Sequence, residues 1–284
     1  MNLMTIFEAY NSTKKKLEAA GIEDYVFEAR QIIKHITGLN AAQILANYNR
    51  KLSEYQQNNL IALVHQREVR YPLQYIFGEW AFYGRSFSVG PGVLVPRADT
   101  EVLVEHCLEY LKQAENAKVL DLCAGSGCIG ITIAKENSAT DVLMVEKFDE
   151  ALRYTQKNIK LNNADNARCI KGDVFESEAA EKKYSLIVSN PPYIPQNEMS
   201  EISPDAKFEP ETALLADDNG MQFYKAIINN YKNSLENGGM MSFEVGINEY
   251  EAVSALLDEA GFKDITVKKD LNGIERVVSG IITY

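Results

Sequence analysis

Asn190-Pro191-Pro192-Tyr193 is the stretch of this 284-residue sequence best suited to hold a reacting group. It directly follows the apolar run YSLIVSN, which places the asparagine at the carboxyl end of a predicted strand. Two prolines fix the backbone at that rim. Asn190 offers an amide oxygen and an NH2 group, and Tyr193 an aromatic face. A planar NH2 group fits such a site. Its hydrogens would be accepted by the Asn190 oxygen and the Pro191 carbonyl, and its flat face would pack on Tyr193, with Pro192 holding the turn. The plainer alternative is a proline-rich turn with no chemistry.

A second motif stands upstream. The apolar run AKVLDL passes into Asp121-Leu122-Cys123-Ala124-Gly125-Ser126-Gly127 and then an apolar helix starting near Cys128. Strand, glycine loop and helix start together make a nucleotide site: glycines let the backbone approach a ligand, and the helix offers unpaired N–H groups. Glycines also occur where a helix merely packs tightly on a strand. No Gly-Lys-Ser/Thr follows, which excludes a phosphate-binding P-loop. Asp121 would repel a pyrophosphate but suits a cationic amino-acid group, such as the methionine end of S-adenosylmethionine. Glu146 ends the next strand about 20 residues on, where an acid accepts from both ribose hydroxyls. Asp173, after the third strand, could accept from an adenine amino group, with Val174 and Phe175 flanking the ring. These acids and glycines follow three successive strand ends, where ligands bind in an open parallel sheet.

The two motifs together describe methyl transfer to a planar nitrogen. The expected cofactor is S-adenosylmethionine, leaving S-adenosylhomocysteine as product. Its sulfonium already activates the methyl group, so no metal is expected. An amide nitrogen is too weak an acid for a carboxylate to deprotonate beforehand. Position, desolvation and polarisation are what the protein can supply.

The elements that must position these residues are legible in outline. From Lys118 onward, apolar strands (AKVLDL, TDVLMVE, ARCIKG, YSLIVSN, MMSFEV) alternate with helices at 149–162, 220–235 and 248–260. That alternation predicts an α/β fold, a Rossmann-like parallel sheet with helices on both faces. FKDITVKK and ERVVSGII follow, separated by Asp270-Leu271-Asn272-Gly273, and Asn-Gly predicts a hairpin and an antiparallel last strand. Residues 1–72 read as a helical bundle. Val26, Ala29, Ile32, Ile33 and Ile36 recur at helical spacing before Gly38, and Ser53 caps a helix with Leu60, Ile61 and Val64 on its inner face. Residues 73–95 turn aromatic and β-branched between glycines, predicting a β-hairpin linker to a main domain over 96–284.

Composition narrows the class. Hydrophobic content is 46% and charged content 24%, as in an ordinary globular protein. The N-terminus shows no signal peptide, and no apolar run is long enough for a membrane span. Four cysteines without a CxxC pair, and three histidines, suggest neither a zinc site nor a disulfide framework, so the cytoplasm is expected. Net charge is −11 and uneven: residues 1–72 hold 9 basic against 7 acidic side chains, the rest 20 against 33. An acidic main body is a poor partner for a phosphate backbone, so no direct nucleic-acid contact is expected.

At these residues the sequence resembles the protein-glutamine methyltransferases of the PrmC/HemK family. Pro72-Leu73-Gln74-Tyr75-Ile76 and Phe82-Tyr83-Gly84 look like the family's inter-domain hairpin, and Pro96-Arg97-Ala98-Asp99-Thr100-Glu101 like its motif near the cofactor. Asp121 to Gly127 look like its cofactor loop, and Asn190-Pro191-Pro192-Tyr193 like its glutamine-binding motif. Phe208-Glu209-Pro210, Leu214 and Lys269 to Gly273 also match. The resemblance implies a methyltransferase domain behind a five-helix N-terminal domain, and the charge balance of residues 1–72 beside an acidic remainder suggests that they dock the protein substrate. It implies methylation of the glutamine of the Gly-Gly-Gln loop in release factors. Cys123 stands where a glycine is usual, Glu146 where aspartate is usual, and Val174 where some members place an aromatic, a role Phe175 could fill. Three alternatives stay open: a ribosomal-protein glutamine methyltransferase, an adenine-amino DNA or RNA methyltransferase, and a catalytically silent cofactor-binding scaffold.

Overall fold

A computed structural model describes residues 3–114, 116–177, 179–180 and 183–284. They form two compact units, Met1–Gly78 with Ser203–Phe208, and Glu79–Ile202 with Glu209–Tyr284.

The first unit is helical: α1 (Ile6–Ala19), α2 (Tyr25–Thr37), α3 (Ala41–Ala46), α4 (Glu54–Glu68) and α5 (Leu73–Phe77). Thr5, Asn40 and Ser53 start α1, α3 and α4 with capping boxes, closed by Glu8, Gln43 and Gln56. Each such cap stabilises by about 1 kcal/mol. Gly38 ends α2 with φ +67°, a left-handed backbone that glycine adopts without a Cβ clash. Ile6, Leu17, Ala29, Ile32, Ile33, Leu60 and Val64 build the core. Two expectations need correction. Ile61 is 47% exposed, and Leu63 takes the inward position on α4. The buried stripe runs Gln57, Leu60, Leu63, Val64 and Arg67, and at about 3.6 residues per turn Ile61 falls on its flank, roughly 100° from the stripe's centre. Nor does strand begin at residue 73. Pro72 opens α5, which buries Leu73 and Tyr75, and Gly78 closes it at φ +74°. The aromatic composition suggested strand, whereas the proline start and glycine stop are helix punctuation.

The second unit opens with the hairpin β1 (Glu79–Phe82) and β2 (Arg85–Ser88). It continues through α6 (Thr100–Leu111), β3 (Lys118–Leu122), α7 (Cys128–Glu136), β4 (Asp141–Glu146), α8 (Asp149–Leu161), β5 (Ala167–Lys171) and β6 (Tyr184–Ser189). α9 (Gln222–Tyr231), β7 (Leu235–Glu244), α10 (Tyr250–Glu259), β8 (Lys263–Lys269) and β9 (Glu275–Ile281) complete it. The seven strands lie in the order β5-β4-β3-β6-β7-β9-β8. β3 to β7 are mutually parallel, and β9 is antiparallel to both β7 and β8. The last strand is antiparallel, as expected, but slots inside, leaving β8 at the edge.

Both faces of the sheet are covered, which is why its strands read as near-continuous apolar runs. One core joins Val119, Met144 and Val188 to Leu103, Cys107 and Ile131. The other joins Leu120, Leu143 and Ile187 to Tyr224, Ile227 and Val253. From β3 the chain builds outward through β4 and β5, then returns to lay β6 on the opposite side of β3. The carboxyl ends of β3, β4 and β6 meet at that reversal, where a doubly wound sheet opens its ligand crevice. No helix among the described residues is long and apolar enough to cross a membrane.

Candidate active site

A cavity of about 350 Å³ opens at these strand ends, within the 300–1,000 Å³ typical of small-ligand sites. Cys123, Ala124, Gly125, Ser126, Glu146, Asp173, Val174, Asn190 and Pro192 line it. Asp121, Gly127, Pro191 and Tyr193 do not.

The loop after β3 is held from several sides. Ala124 N–H donates to the Val145 carbonyl at 3.1 Å. Thr155 Oγ1 donates to the Gly125 carbonyl at 2.7 Å, and Asn158 Nδ2 to the Ser126 carbonyl at 2.9 Å. Gly125 has φ +56°, and a Cβ there would find its nearest neighbour only at 4.0 Å, so this glycine answers to backbone conformation and open cavity. Gly127 differs: a Cβ would stand 2.9 Å from both Ile131 Cδ1 and Thr155 Cγ2, so the residue packs the start of α7.

Glu146 is the hub of the ligand-facing wall. Its Oε2 accepts the Gly125 N–H at 2.8 Å and its Oε1 the Phe148 N–H at 2.9 Å. Burial pushes its carboxyl above the usual range, and those N–H groups pull it back. Carboxylate oxygens carry about four lone-pair sites in all, which leaves acceptors for a diol. Asp173 Oδ1 accepts the Phe175 N–H at 3.0 Å, and its Oδ2 pairs with Lys147 Nζ at 2.6 Å.

Asp121 is placed otherwise than expected. Side chains alternate along β3, so Asp121 shares the Val119 face beneath α7 and faces away from the cavity. Its Oδ2 accepts the Gly130 N–H at 2.9 Å, tying the first turn of α7 to the sheet. Its Oδ1 is buried without a hydrogen-bond partner among the described residues. Burial lifts its pKa to about 7. The aromatic expectation also changes: Phe175 stays off the cavity wall and stacks obliquely on Phe223, with centroids 5.2 Å apart. Phe148 and Phe223 line the cavity instead. Phe148, two residues beyond Glu146, was within reach of sequence reading; Phe223, on α9, carried no signal.

Asn190, which follows β6, also lines the cavity. Its Nδ2 donates to Thr100 Oγ1 at 3.4 Å. The Ser189 hydroxyl, next in chain, donates to the Leu122 carbonyl at 2.7 Å and ties β6 to β3. Behind Asn190 sits Glu244, 3% exposed, at the end of β7. Burial raises its carboxyl to about 7, and hydrogen bonding from Thr100 and Asn190 lowers it. Tyr193 turns from the cavity toward Gly246, where an added Cβ would meet its Cδ2 at 3.0 Å. Burial raises its phenol strongly. On the rim, Glu209 accepts from Val95 N–H at 3.2 Å and from Arg97 at 2.6 Å, joining the segment before α6 to Pro210–Ala213, which also line the cavity. Thr100, Glu209 and Glu244 were not assigned roles from sequence. Glu244 closes the apolar run MMSF, while Thr100 and Glu209 stand among other polar residues, so their partners far along the chain could not be read from the sequence.

The fold, with the glycine loop, Glu146 and Asn190 on one cavity wall, defines a class I methyltransferase. Residues 98–209 match the family described as Methyltransferase small domain, and residues 8–78 match PrmC N-terminal domain. A release factor glutamine methyltransferase of Fusobacterium nucleatum is 34% identical over 95% of this chain and 77% of its own. One of Thermodesulfovibrio yellowstonii is 37% identical over 88% and 90%. A methyltransferase structure from Pyrococcus furiosus, 15% identical, superposes with a TM-score of 0.52 over 82% of this chain and 100% of that one, a likeness of fold. The chain belongs to the release factor glutamine methyltransferase family.

Proposed function

We propose that the chain transfers the methyl group of S-adenosylmethionine to the side-chain amide nitrogen of the glutamine in the Gly-Gly-Gln motif of peptide chain release factors. The observation that carries this reading is the position of the Asn190 amide on the wall of the cavity that Gly125 and Glu146 also line. Glu146 receives the ribose hydroxyls, Asp173 the adenine amino group, and Phe148 and Phe223 flank the ring. The glycine loop leaves room for the methionine part. S-adenosylmethionine supplies an activated methyl on a positive sulfur.

The protein's own part is to hold the acceptor. Asn190 Oδ1, on the cavity wall, accepts an N–H bond of the glutamine amide and aims its nitrogen at the cavity, while Pro191, off that wall, fixes the backbone that carries Asn190. Pro192 and Tyr193 brace that corner. When the acceptor nitrogen takes the methyl group, the methyl–sulfur bond would break as the N–C bond forms, leaving S-adenosylhomocysteine, and one N–H proton would pass to solvent so that the N-methyl amide departs neutral. Fixed acceptors of this kind cost no reorganisation during reaction.

Residues 1–72 dock the protein substrate. Their 9 basic against 7 acidic side chains, beside an acidic remainder, support this. Translation termination places the reaction in the cytoplasm, where the four thiols stay reduced.

The test is incubation with purified release factors, ribosomal proteins and an adenine-bearing oligonucleotide, each with labelled cofactor, followed by mass spectrometry. Label on the Gly-Gly-Gln glutamine alone is expected. Label on a ribosomal-protein glutamine or on adenine, with none on the release factors, refutes the reading.

A further inference from the structure

Behind the Asn190 amide, on the side away from the cavity, lies a carboxylate without an assigned task. Glu244 ends β7, is almost wholly buried, and its Oε2 has no hydrogen-bond partner among the described residues. Thr100, the first residue of α6, is 2% exposed, lines the cavity, and accepts from Asn190 Nδ2 at 3.4 Å. The side chains of Thr100 and Asn190 both favour the ionised form of the Glu244 carboxyl, which burial opposes. An ionised carboxylate only accepts, so it selects the NH2 end of a neighbouring amide and repels the oxygen end.

We infer that Glu244, with Thr100, is a positioning residue that locks the Asn190 side chain with its NH2 turned inward and its oxygen presented to the cavity. The inference rests on the assignment of Asn190 as the acceptor for the substrate amide. Without the lock, an asparagine has two amide-flip states of similar shape. One accepts a substrate N–H and the other opposes it with a donor. Burying an ion costs stability unless its partners are satisfied, and this geometry gives that cost a use.

The groups facing Glu244 are Asp99 before α6 and Arg276 on β9, with Tyr193, Tyr224 on α9 and Cys128 on α7 also within range of its charge. Arg276 favours the ionised form and Asp99 opposes it. The lock engages when Glu244 is ionised, so the orientation of Asn190 is restored as pH rises through about 7.

The experiment uses the full-length protein with a Gly-Gly-Gln peptide. Glu244→Gln should lower kcat ten- to a hundredfold, leave KM for S-adenosylmethionine within twofold, and remove the acidic limb of the kcat profile. Asn190→Asp, which sets two carboxylates side by side, should be rescued at least tenfold by adding Glu244→Gln, because the new amide donates to the new carboxylate. If Glu244→Gln folds poorly, Thr100→Val should lower kcat tenfold and Thr100→Ser should restore it. A Glu244→Gln enzyme within twofold of normal kcat, with its acidic limb intact, overturns the lock. So does a double variant no better than Asn190→Asp alone. Asn190→Ala separates the two ideas: if it is inactive while Glu244→Gln is normal, only the lock fails; if it is active, the Asn190 assignment fails first.

Discussion

The Glu146 carboxylate reaches back 21 positions to accept the Gly125 N–H at 2.8 Å. The acid at the end of β4 thereby sets the conformation of the loop at the end of β3. One side chain shapes the glycine turn and lines the cavity beside it.

Glu146→Ala is therefore expected to weaken cofactor binding twice over, through lost ribose contacts and a loosened loop. Hydrogen bonds to a charged group contribute about 1.5–3 kcal/mol, so titration calorimetry should show affinity lower by at least roughly tenfold. Unchanged affinity would remove Glu146 from the ribose site.

Asn190→Ala should lose about 2.7–4 kcal/mol of transition-state stabilisation, roughly a hundred- to a thousandfold in kcat. Cofactor affinity and melting temperature should change little, since the residue stands on the cavity wall and its bond to Thr100 Oγ1 is long, at 3.4 Å. Near-normal transfer to glutamine by a stable variant is the outcome against it.

Cys123 sits at φ +59°, a left-handed conformation that costs a non-glycine residue roughly 1–2 kcal/mol. Cys123→Gly should raise the melting temperature by a few degrees. Gly130→Ala should do the reverse, because its Cβ would lie 2.7 Å from Met144 Cγ and 2.9 Å from Asp121 Oδ2. Overpacking of this sort typically costs about 1–3 kcal/mol. Urea unfolding of the two variants measures both; equal stabilities would show that the loop yields more easily than its packing implies.

Asp121 also gives stability a pH dependence. Its pKa is near 7 when folded and in the ordinary carboxylate range when unfolded. Between those values the unfolded chain holds fewer protons, so stability falls as pH rises and levels off above the folded pKa. Asp121→Asn keeps an acceptor for the Gly130 N–H and removes the buried charge. It should flatten the pH 5–8 stability profile and gain most at pH 8. A variant as pH-sensitive as the parent would place the effect on Glu244 and Glu249, which burial also raises to about 7.

Much of the fold could be read in advance because its signals are local. Parallel strands buried on both faces announce themselves as apolar runs, and Ser53, Gly38 and Asn272-Gly273 mark ends by backbone chemistry alone. The glycine loop, Glu146, Asp173 and Asn190 were legible because each follows a strand, and strand ends share one rim. What stayed hidden depended on distance in sequence. Nothing local says that Asp121 turns beneath α7, that Phe223 reaches the cavity from α9, or that Glu244 stands behind an asparagine 54 positions earlier. Leu73–Phe77 misled for the opposite reason: composition favoured strand, while burial of Leu73 and Tyr75 favoured a helical turn.

The segment Ser203–Phe208 belongs with the helical unit although it is encoded within the catalytic one. Arg67, with a side chain 2% exposed, pairs there with both Glu28 at 2.7 Å and Asp205 at 2.6 Å, and Arg70 joins Asp205 at 2.6 Å. The backbone consequently passes between the units three times, after residues 78, 202 and 208. In modular terms the helical unit is not a cassette. A protease nick after Gly78 would leave two connections intact, and a gene cut there would strand a buried guanidinium without one of its two carboxylates. Recombination between relatives would have to exchange both pieces together, which ties the inheritance of the helical unit to that of a loop beyond the Asn-Pro-Pro-Tyr corner.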